Sequence, residues 1–480
     1  MLQRINAHYI NGSWRTVAAP EWFTLINPTT EDAVSCVARA DAAMVNEAVA
    51  AAYHAQDSWG RLEFTERAEY LQSMADYLQA HAEELTQAIT DELGCPLWFS
   101  KMVQVDDPID ALAKHVGYAR ALEREQQWDA RLKVRKEPVG VCGLITPWNY
   151  PLHQLIAKVA PALLAGCTLI VKPAEQTPRS ALLLAMAAEA AGVPAGVFNL
   201  VLGCGAEIGD ILCQHPDVDC ISFTGSTRVG RLIQRNCADT VKRVCLELGG
   251  KSAFIIGQTE RLADAVKLGV EDVMMNSGQT CVALTRMLVP ADRYQEACDL
   301  AADVAKQLVV GDPTAEDTFL GPVVNQQQYQ SILQYIESGI EDGARLIAGG
   351  GERPAGLSQG YYIAPTIFAD VHNDMRIARE EIFGPVLCMI PYSDEDEALR
   401  LANDSPYGLS GRVWADDADE RQRLAVGIRA GLIFTNAAEW HNAAPFGGFK
   451  QSGYGRELGL AGVEEFLELK SIVHEETAHD

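Results

Sequence analysis

The stretch Asn276-Ser277-Gly278-Gln279-Thr280-Cys281 places a cysteine in a short polar loop after a helical run, where its sulfur can be reached. A thiolate there would be a strong nucleophile able to carry a covalent intermediate, given surroundings that lower its pKa. Cys281 is one of 12 cysteines, and a free cysteine is more often a small buried hydrophobe. The chemistry therefore needs partners elsewhere in the chain.

Four segments offer them. Glu247-Leu-Gly-Gly-Lys251 closes an apolar run with a carboxylate and two glycines. A carboxylate at a strand end facing a cleft serves as general base when burial raises its pKa; a surface acid at a turn is the plainer reading. Pro147-Trp-Asn-Tyr-Pro151 holds Asn149 between two prolines. Its amide could donate to an oxyanion, a role worth on the order of 3 kcal/mol; a rigid aromatic turn is the alternative. In Phe223-Thr-Gly-Ser-Thr-Arg-Val-Gly230 a turn at Gly225 leads into a helix. Ser226 and Thr227 then stand where free amides bind phosphate, although the spacing is not G-x-G-x-x-G. Val171-Lys-Pro-Ala-Glu175 adds Lys172 and Glu175 at another strand end, suited to ribose hydroxyls or to an exposed ion pair.

In this order the segments closely resemble the NAD(P)-dependent aldehyde dehydrogenase superfamily. The resemblance runs from Tyr9-Ile-Asn-Gly-Ser-Trp14 to Pro445-Phe-Gly-Gly-Phe-Lys450 and Ser452-Gly-Tyr-Gly-Arg-Glu-Leu-Gly459. It implies an α/β, aldehyde dehydrogenase-like fold with a Rossmann-type cofactor domain (1–119 and 139–250) and a second α/β catalytic domain (251–455). Residues 120–138 and 456–480 would form a small oligomerisation arm and a C-terminal segment. It makes Cys281 the nucleophile, Glu247 the general base and Asn149, with the Cys281 backbone amide, the oxyanion hole. Lys158 and Glu457 match proton-relay positions of some members. Lys172 and Glu175 would hold the adenosine ribose and Ser226 the pyrophosphate, with Gly225 and Trp148 as further cofactor contacts. Glu381 and Phe383, in Glu380-Glu-Ile-Phe-Gly-Pro385, match the residues that position the nicotinamide ribose and ring.

The implied reaction is attack by the Cys281 thiolate on an aldehyde, collapse of the thiohemiacetal with hydride loss to the nicotinamide, and hydrolysis of the thioester by water activated at Glu247. Members that pass the acyl group to coenzyme A commonly lack this carboxylate, so a free acid is the expected product and coenzyme A acylation the alternative. A catalytically inactive binding or structural relative is the alternative of another class, opposed by the presence of Cys281, Glu247, Asn149, Lys172 and Glu381. Tyr150, Ala157, Thr280, Val282, Trp440 and Phe446 match or flank the substrate tunnel, which suggests an apolar or aromatic aldehyde. Ala157 stands where betaine aldehyde-oxidising relatives commonly have tryptophan, which weakens a cation–π box. No cationic residue joins the tunnel positions, although His153 and His441 are near in sequence. Glu175 repels a 2′-phosphate, which favours NAD with NADP as second choice. The resemblance further implies a homodimer or homotetramer.

The elements that would position these residues follow from pattern. Val139–Ile145, Thr168–Val171, Val197–Val201, Cys220–Phe223 and Val244–Leu248 read as buried strands, with helices at Ser180–Ala191 and Ser226–Asn236. This alternation predicts a parallel, doubly wound sheet with ligands beyond the strands' carboxyl ends. Ser252–Ile256, Arg286–Val289, Val386–Pro391, Leu409–Trp414 and Gly431–Thr435 form a second set, with helices near 293–307, 395–403 and 418–428. Residues 61–93 read as one helix with Leu71, Met74, Leu78, Leu85 and Ile89 on its packing face, stopped by Gly94. Residues 122–138 show neither a helical nor a clean strand period.

A chain of 480 residues exceeds one ordinary core. Its hydrophobic fraction of 48% and charged fraction of 22% suit a soluble globular protein. The net charge of −26 argues against nucleic acid or an anionic membrane as partner. Irregular cysteine spacing without Cys-x-x-Cys predicts no metal site and a reducing, cytoplasmic setting, and the N-terminus lacks a signal-peptide pattern.

Overall fold

Short apolar runs that must be buried on both faces can be satisfied only inside a sheet covered by helices. The computed structural model describes residues 3–475, and its first large sheet has eight strands. Their order is Gly453–Tyr454, Arg243–Glu247, Cys220–Thr224, Val141–Ile145, Thr168–Lys172, Phe198–Leu200, His8–Ile10 and Ser13–Arg15. The five central strands are mutually parallel. The N-terminal hairpin and the Gly453–Tyr454 edge pair antiparallel to them.

The second sheet has seven strands in the order Arg345–Ala348, Thr366–Ala369, Val386–Tyr392, Arg286–Pro290, Ala253–Ile256, Ser410–Trp414 and Leu432–Thr435. Only the Arg345–Ala348 edge is antiparallel. The acidic runs Ser393-Asp-Glu-Asp-Glu397 and Asp416-Asp-Ala-Asp-Glu420 start helices. Asp394 caps Glu395–Asn403 and Asp417 caps Ala418–Gly427 through their side chains. Among the described residues no helix is long and apolar enough to cross a membrane.

Two expectations need correction. The run 61–93 is two helices, Phe64–Ala80 and Ala82–Leu93, separated at His81 (φ −110°, ψ 19°). The apolar face nevertheless continues across the break, with Leu71, Met74, Leu78, Leu85 and Ile89 all fully buried. Residues 122–138 contain two strands, Glu125–Asp129 and Leu132–Pro138, which join Leu467–Val473 in a three-stranded antiparallel sheet. Every residue of Glu125–Asp129 is exposed, so no face had to be apolar and no alternation betrayed it. Residues 476–480 lie outside the described residues.

Candidate active site

The loop that carries Cys281 follows the helix Leu262–Met274. Asn276 (φ 50°), Ser277 (φ 54°) and Gly278 (φ 74°) are left-handed in succession. Such residues cost about 1–3 kcal/mol each unless glycine, and persist only where the surroundings over-determine them. Here the surroundings do so. Asn276 Nδ2 donates to the Asn149 carbonyl (3.0 Å) and Ser277 Oγ to the Gly321 carbonyl (2.8 Å). Gln279 Nε2 donates to the Asn276 carbonyl (3.1 Å), while its Oε1 accepts from Val324 N–H (2.9 Å). A Cβ on Gly278 would overlap the Gly384 carbonyl, so only glycine lets the two backbones meet. The outcome is Cys281 held partly exposed beside groups from both large sheets.

Asn149 is buried on the loop between the Val141–Ile145 strand and the helix Pro151–Ala165. One hydrogen of its amide goes to the Gln279 carbonyl at 3.0 Å, leaving the other to be offered. Tyr150 OH pairs with Thr280 Oγ1 at 2.8 Å. Around the sulfur, Ala157, Leu409, Phe446 and Leu458 form a buried apolar cluster joined by Val282, Leu432 and Trp440. Trp440 tilts against Phe446 (5.6 Å between centroids) and meets His153 edge-on (5.8 Å). Of the candidate tunnel residues, Ala157, Val282, Trp440 and Phe446 thus share a cluster with Cys281, and Tyr150 and Thr280 pair with each other.

Glu247, at the end of its strand, is 4% exposed, and neither carboxylate oxygen has a hydrogen-bond partner among the described residues. Burial pushes its pKa well above the ordinary value, the Glu457 carboxylate pushes it further, and the Lys158 ammonium pulls it back. Lys158 and Glu457 themselves form a buried ion pair. Burial also raises the Cys281 thiol, reinforced by the carboxylates of Glu381, Glu247 and Glu457.

Glu381 accepts from Gly250 N–H (3.0 Å), and burial brings it to about 7. Phe383, at φ 57°, meets the Trp148 ring edge-on at 5.5 Å. Lys172 Nζ lies 3.3 Å from Glu175 Oε2, and Glu175 Oε1 accepts from Gly205 N–H (2.5 Å) at the start of the helix Gly205–Gln214. Ser226 caps its own helix by accepting from Val229 N–H (3.4 Å). Its hydroxyl still has its O–H to donate, and the free first-turn amides of the helix Thr227–Cys237 suit an anion.

The site also uses residues that the sequence reading did not single out. Gln104 donates to the Asn149 carbonyl at 2.9 Å. Asn276 and Gln279 tie the loop that carries Cys281, and Leu409, Leu432 and Leu458 complete the apolar lining. Asn276 carried one usable signal: asparagine followed by Ser-Gly after a helix suits left-handed backbone.

The sequence profile of the aldehyde dehydrogenase family matches residues 14–472. The chain belongs to the aldehyde dehydrogenase family. Such an enzyme is an oxidoreductase acting on aldehydes, as the resemblance implied. This aldehyde dehydrogenase is 47% identical over 470 residues to the 3-succinoylsemialdehyde-pyridine dehydrogenase of a Pseudomonas species, covering 97% of this chain and 98% of that one. Its fold matches that of aldehyde dehydrogenase C from Pseudomonas syringae, solved as a mutant with NAD+ and octanal. The TM-score is 0.96 at 44% identity, with 98% and 96% of the two chains covered. The Mycobacterium tuberculosis aldehyde dehydrogenase solved with NAD+ matches with TM-score 0.97 at 39% identity, over 100% of each chain. The mixed α/β fold with parallel sheets is therefore the family's own.

Proposed function

We propose that this aldehyde dehydrogenase oxidises an apolar or aromatic aldehyde to the free carboxylic acid with NAD, Cys281 acting as the nucleophile. The observation that carries the reading is that Cys281 packs against the apolar cluster of Ala157, Leu409, Phe446 and Leu458, with Asn149 bound at 3.0 Å to Gln279 of the same loop. Octanal in the Pseudomonas syringae complex and the pyridine-bearing semialdehyde named for the Pseudomonas relative support an apolar or aromatic substrate.

The residues fit the dinucleotide. Gly205 lies where a Cβ would stand 3.3 Å from Lys172 Nζ, so a side chain would intrude between the helix start and the ribose-binding pair. A Cβ on Gly249 would overlap the Glu381 carboxylate. Lys172 and Glu175 would hold the adenosine ribose, Ser226 and Gly225 the pyrophosphate through the helix amides, and Glu381, Phe383 and Trp148 the nicotinamide end. When bound, NAD supplies the hydride acceptor. The Glu175 carboxylate disfavours a 2′-phosphate, so NADP is the second choice.

Cys281 attacks the carbonyl carbon, its proton leaving toward the Glu247 carboxylate or water. The resulting oxyanion takes the free hydrogen of Asn149 Nδ2 and the Cys281 N–H. After hydride loss, Glu247 removes a proton from the water that cleaves the thioester, and the Lys158–Glu457 pair relays that proton outward. Two unpartnered carboxylate oxygens on Glu247 support a place for that water, and hence hydrolysis over acyl transfer.

We further propose the division into a cofactor domain (1–119 and 139–250), a catalytic domain (251–455) and an arm with the C-terminal segment. The arm sheet, with Trp128, Leu469 and Val473 exposed, supports a homodimer or homotetramer. The net charge of −26 supports a cytoplasmic protein that binds neither nucleic acid nor membrane. The test is nicotinamide reduction with NAD or NADP over octanal, benzaldehyde, betaine aldehyde and succinic semialdehyde, with Cys281→Ala as control and product analysis with and without coenzyme A. Preference for betaine aldehyde, or an acyl-coenzyme A product, would overturn the reading.

A further inference from the structure

We propose that Gln104 is a positioning residue for the oxidation: from a π-helical turn it clamps the Asn149 peptide and so aims the Asn149 amide at the substrate oxygen. The inference rests on the reading of Asn149 as an oxyanion donor.

The chain from Leu97 to Tyr118 runs as a helical turn, a π-helix over Ser100–Asp106 and an α-helix over Asp107–Tyr118. π-Helical turns are rare and concentrate at functional sites. One extra residue in a turn rotates the side chains on one side of it by about 100° relative to an unbroken α-helix. Gln104 lies within that turn, fully buried, and its Nε2 reaches the Asn149 carbonyl at 2.9 Å.

The same carbonyl accepts Asn276 Nδ2 at 3.0 Å. Both of its lone pairs are engaged, one from the π-turn and one from the nucleophile loop. The peptide joining Asn149 to Tyr150 is thereby fixed in plane, with Tyr150 OH bound to Thr280 and Asn149 Nδ2 bound to the Gln279 carbonyl. Rotation of that peptide would swing the Asn149 side chain away from the sulfur.

Gln104 Oε1, in contrast, is buried without a hydrogen-bond partner among the described residues. A buried polar atom left unpaired lowers stability. Methionine has the same length and would occupy the space without stranding an oxygen. A side chain chosen for packing alone would be apolar here; the amide supplies a donor.

The test compares Gln104→Met, Gln104→Glu, Asn149→Ala and the double variant Gln104→Met/Asn149→Ala in the full-length enzyme, with octanal and NAD. In Gln104→Met, kcat falls about tenfold, less than the 10²–10³ lost with an oxyanion donor itself, while the affinity for NAD and the rate of Cys281 alkylation by iodoacetamide stay at wild-type values. The double variant is no slower than Asn149→Ala alone, as expected of residues acting through one another. Gln104→Glu tracks the wild type at low pH, where a protonated carboxyl donates to the carbonyl. It falls below the wild type as pH rises and the donor is lost. Activity of Gln104→Met within twofold of wild type, additive losses in the double variant, or alkylation and NAD binding lost in parallel with kcat would overturn the proposal. Full activity in Asn149→Ala would overturn the oxyanion assignment instead, whatever Gln104 does.

Discussion

The Glu381 carboxylate accepts the Gly250 backbone N–H at 3.0 Å, tying the segment that follows Glu247 to the one that leads into the Val386–Tyr392 strand. The backbone amide that holds Glu381 thus belongs to Gly250, in the Leu-Gly-Gly turn directly after Glu247. Burial raises Glu381 to about 7, with Gly250 N–H and the Lys251 ammonium pulling the other way.

That shift sets a pH-dependent stability. The folded pKa lies above the ordinary 4.5, so the folded state holds the proton more tightly. Its contribution is complete below the unfolded value and is lost as pH rises through about 7. Glu381→Gln keeps the acceptor for Gly250 without the buried charge. It should be more stable than wild type at pH 8 by up to about 3 kcal/mol, the gap closing toward about pH 5. Chemical denaturation across that range is the measurement. A gap that does not change with pH would contradict the assignment.

The Lys158–Glu457 pair makes a second pH prediction. The Lys158 ammonium lowers Glu247 and the Glu457 carboxylate raises it. Lys158→Met removes the lowering influence, so Glu247 gives up its proton at higher pH. The rising limb of kcat against pH should move to the alkaline side, with a loss of about tenfold or more at neutral pH. Leaving Glu457 buried and unpaired should also cost about 3–5 kcal/mol of stability. Lys158→Met/Glu457→Gln should recover much of that loss but not the rate. An unmoved limb would remove Lys158 from the account.

Two glycines with similar backbone should answer alanine differently. Gly278 (φ 74°) would drive a Cβ into the Gly384 carbonyl, whereas Gly192 (φ 70°) has open space around its added Cβ. Gly278→Ala should displace the loop carrying Cys281 and lose about 10²-fold in kcat. Gly192→Ala should keep full activity and lose about 1 kcal/mol of stability. Equal kinetics in the two variants would show that the nucleophile loop tolerates movement.

Ala157 shares its buried cluster with Leu409, Phe446 and Leu458. Ala157→Trp should fill the space that a long substrate needs. Its kcat/KM for octanal should fall about 10²-fold while acetaldehyde is spared, as expected when overpacking falls on one end of a ligand. Parallel losses for both aldehydes would mean that Ala157 supports the fold and not the tunnel.

Much of this was legible from residue order. The strands read from apolar runs fall within two residues of their places, because a parallel strand covered on both faces reads as an unbroken run, although Thr366–Ala369, an interior strand of the second sheet only four residues long, escaped this reading. The arm was not legible: Glu125–Asp129 has both faces exposed, so nothing selected an alternation. The break at His81 hid because the packing face of the two helices stays in register across it. At the site, Cys281, Glu247 and Asn149 stood out through motif and residue type. Gln104 could not, since a π-turn has no compositional signature and its hydrogen bond spans 45 residues of sequence. The left-handed run at Asn276 and Ser277 is likewise imposed by partners 127 and 44 residues away.

The Gly453–Tyr454 strand lies beside Leu246 and Glu247, and Phe446 and Glu457 exchange both backbone hydrogen bonds. Glu457, whose carboxylate adds to burial in raising Glu247, is therefore synthesised some two hundred residues after it, whereas Lys158 precedes it. At the usual pace of about 5–20 residues per second this is a delay of about 10–40 s. Throughout it the Glu247 strand waits with an open edge. The emerging polypeptide carries Cys281 before the Gly453–Tyr454 edge can close beside Glu247. Closure of the first sheet is thus one late event, set by the place of Gly453–Tyr454 in the chain.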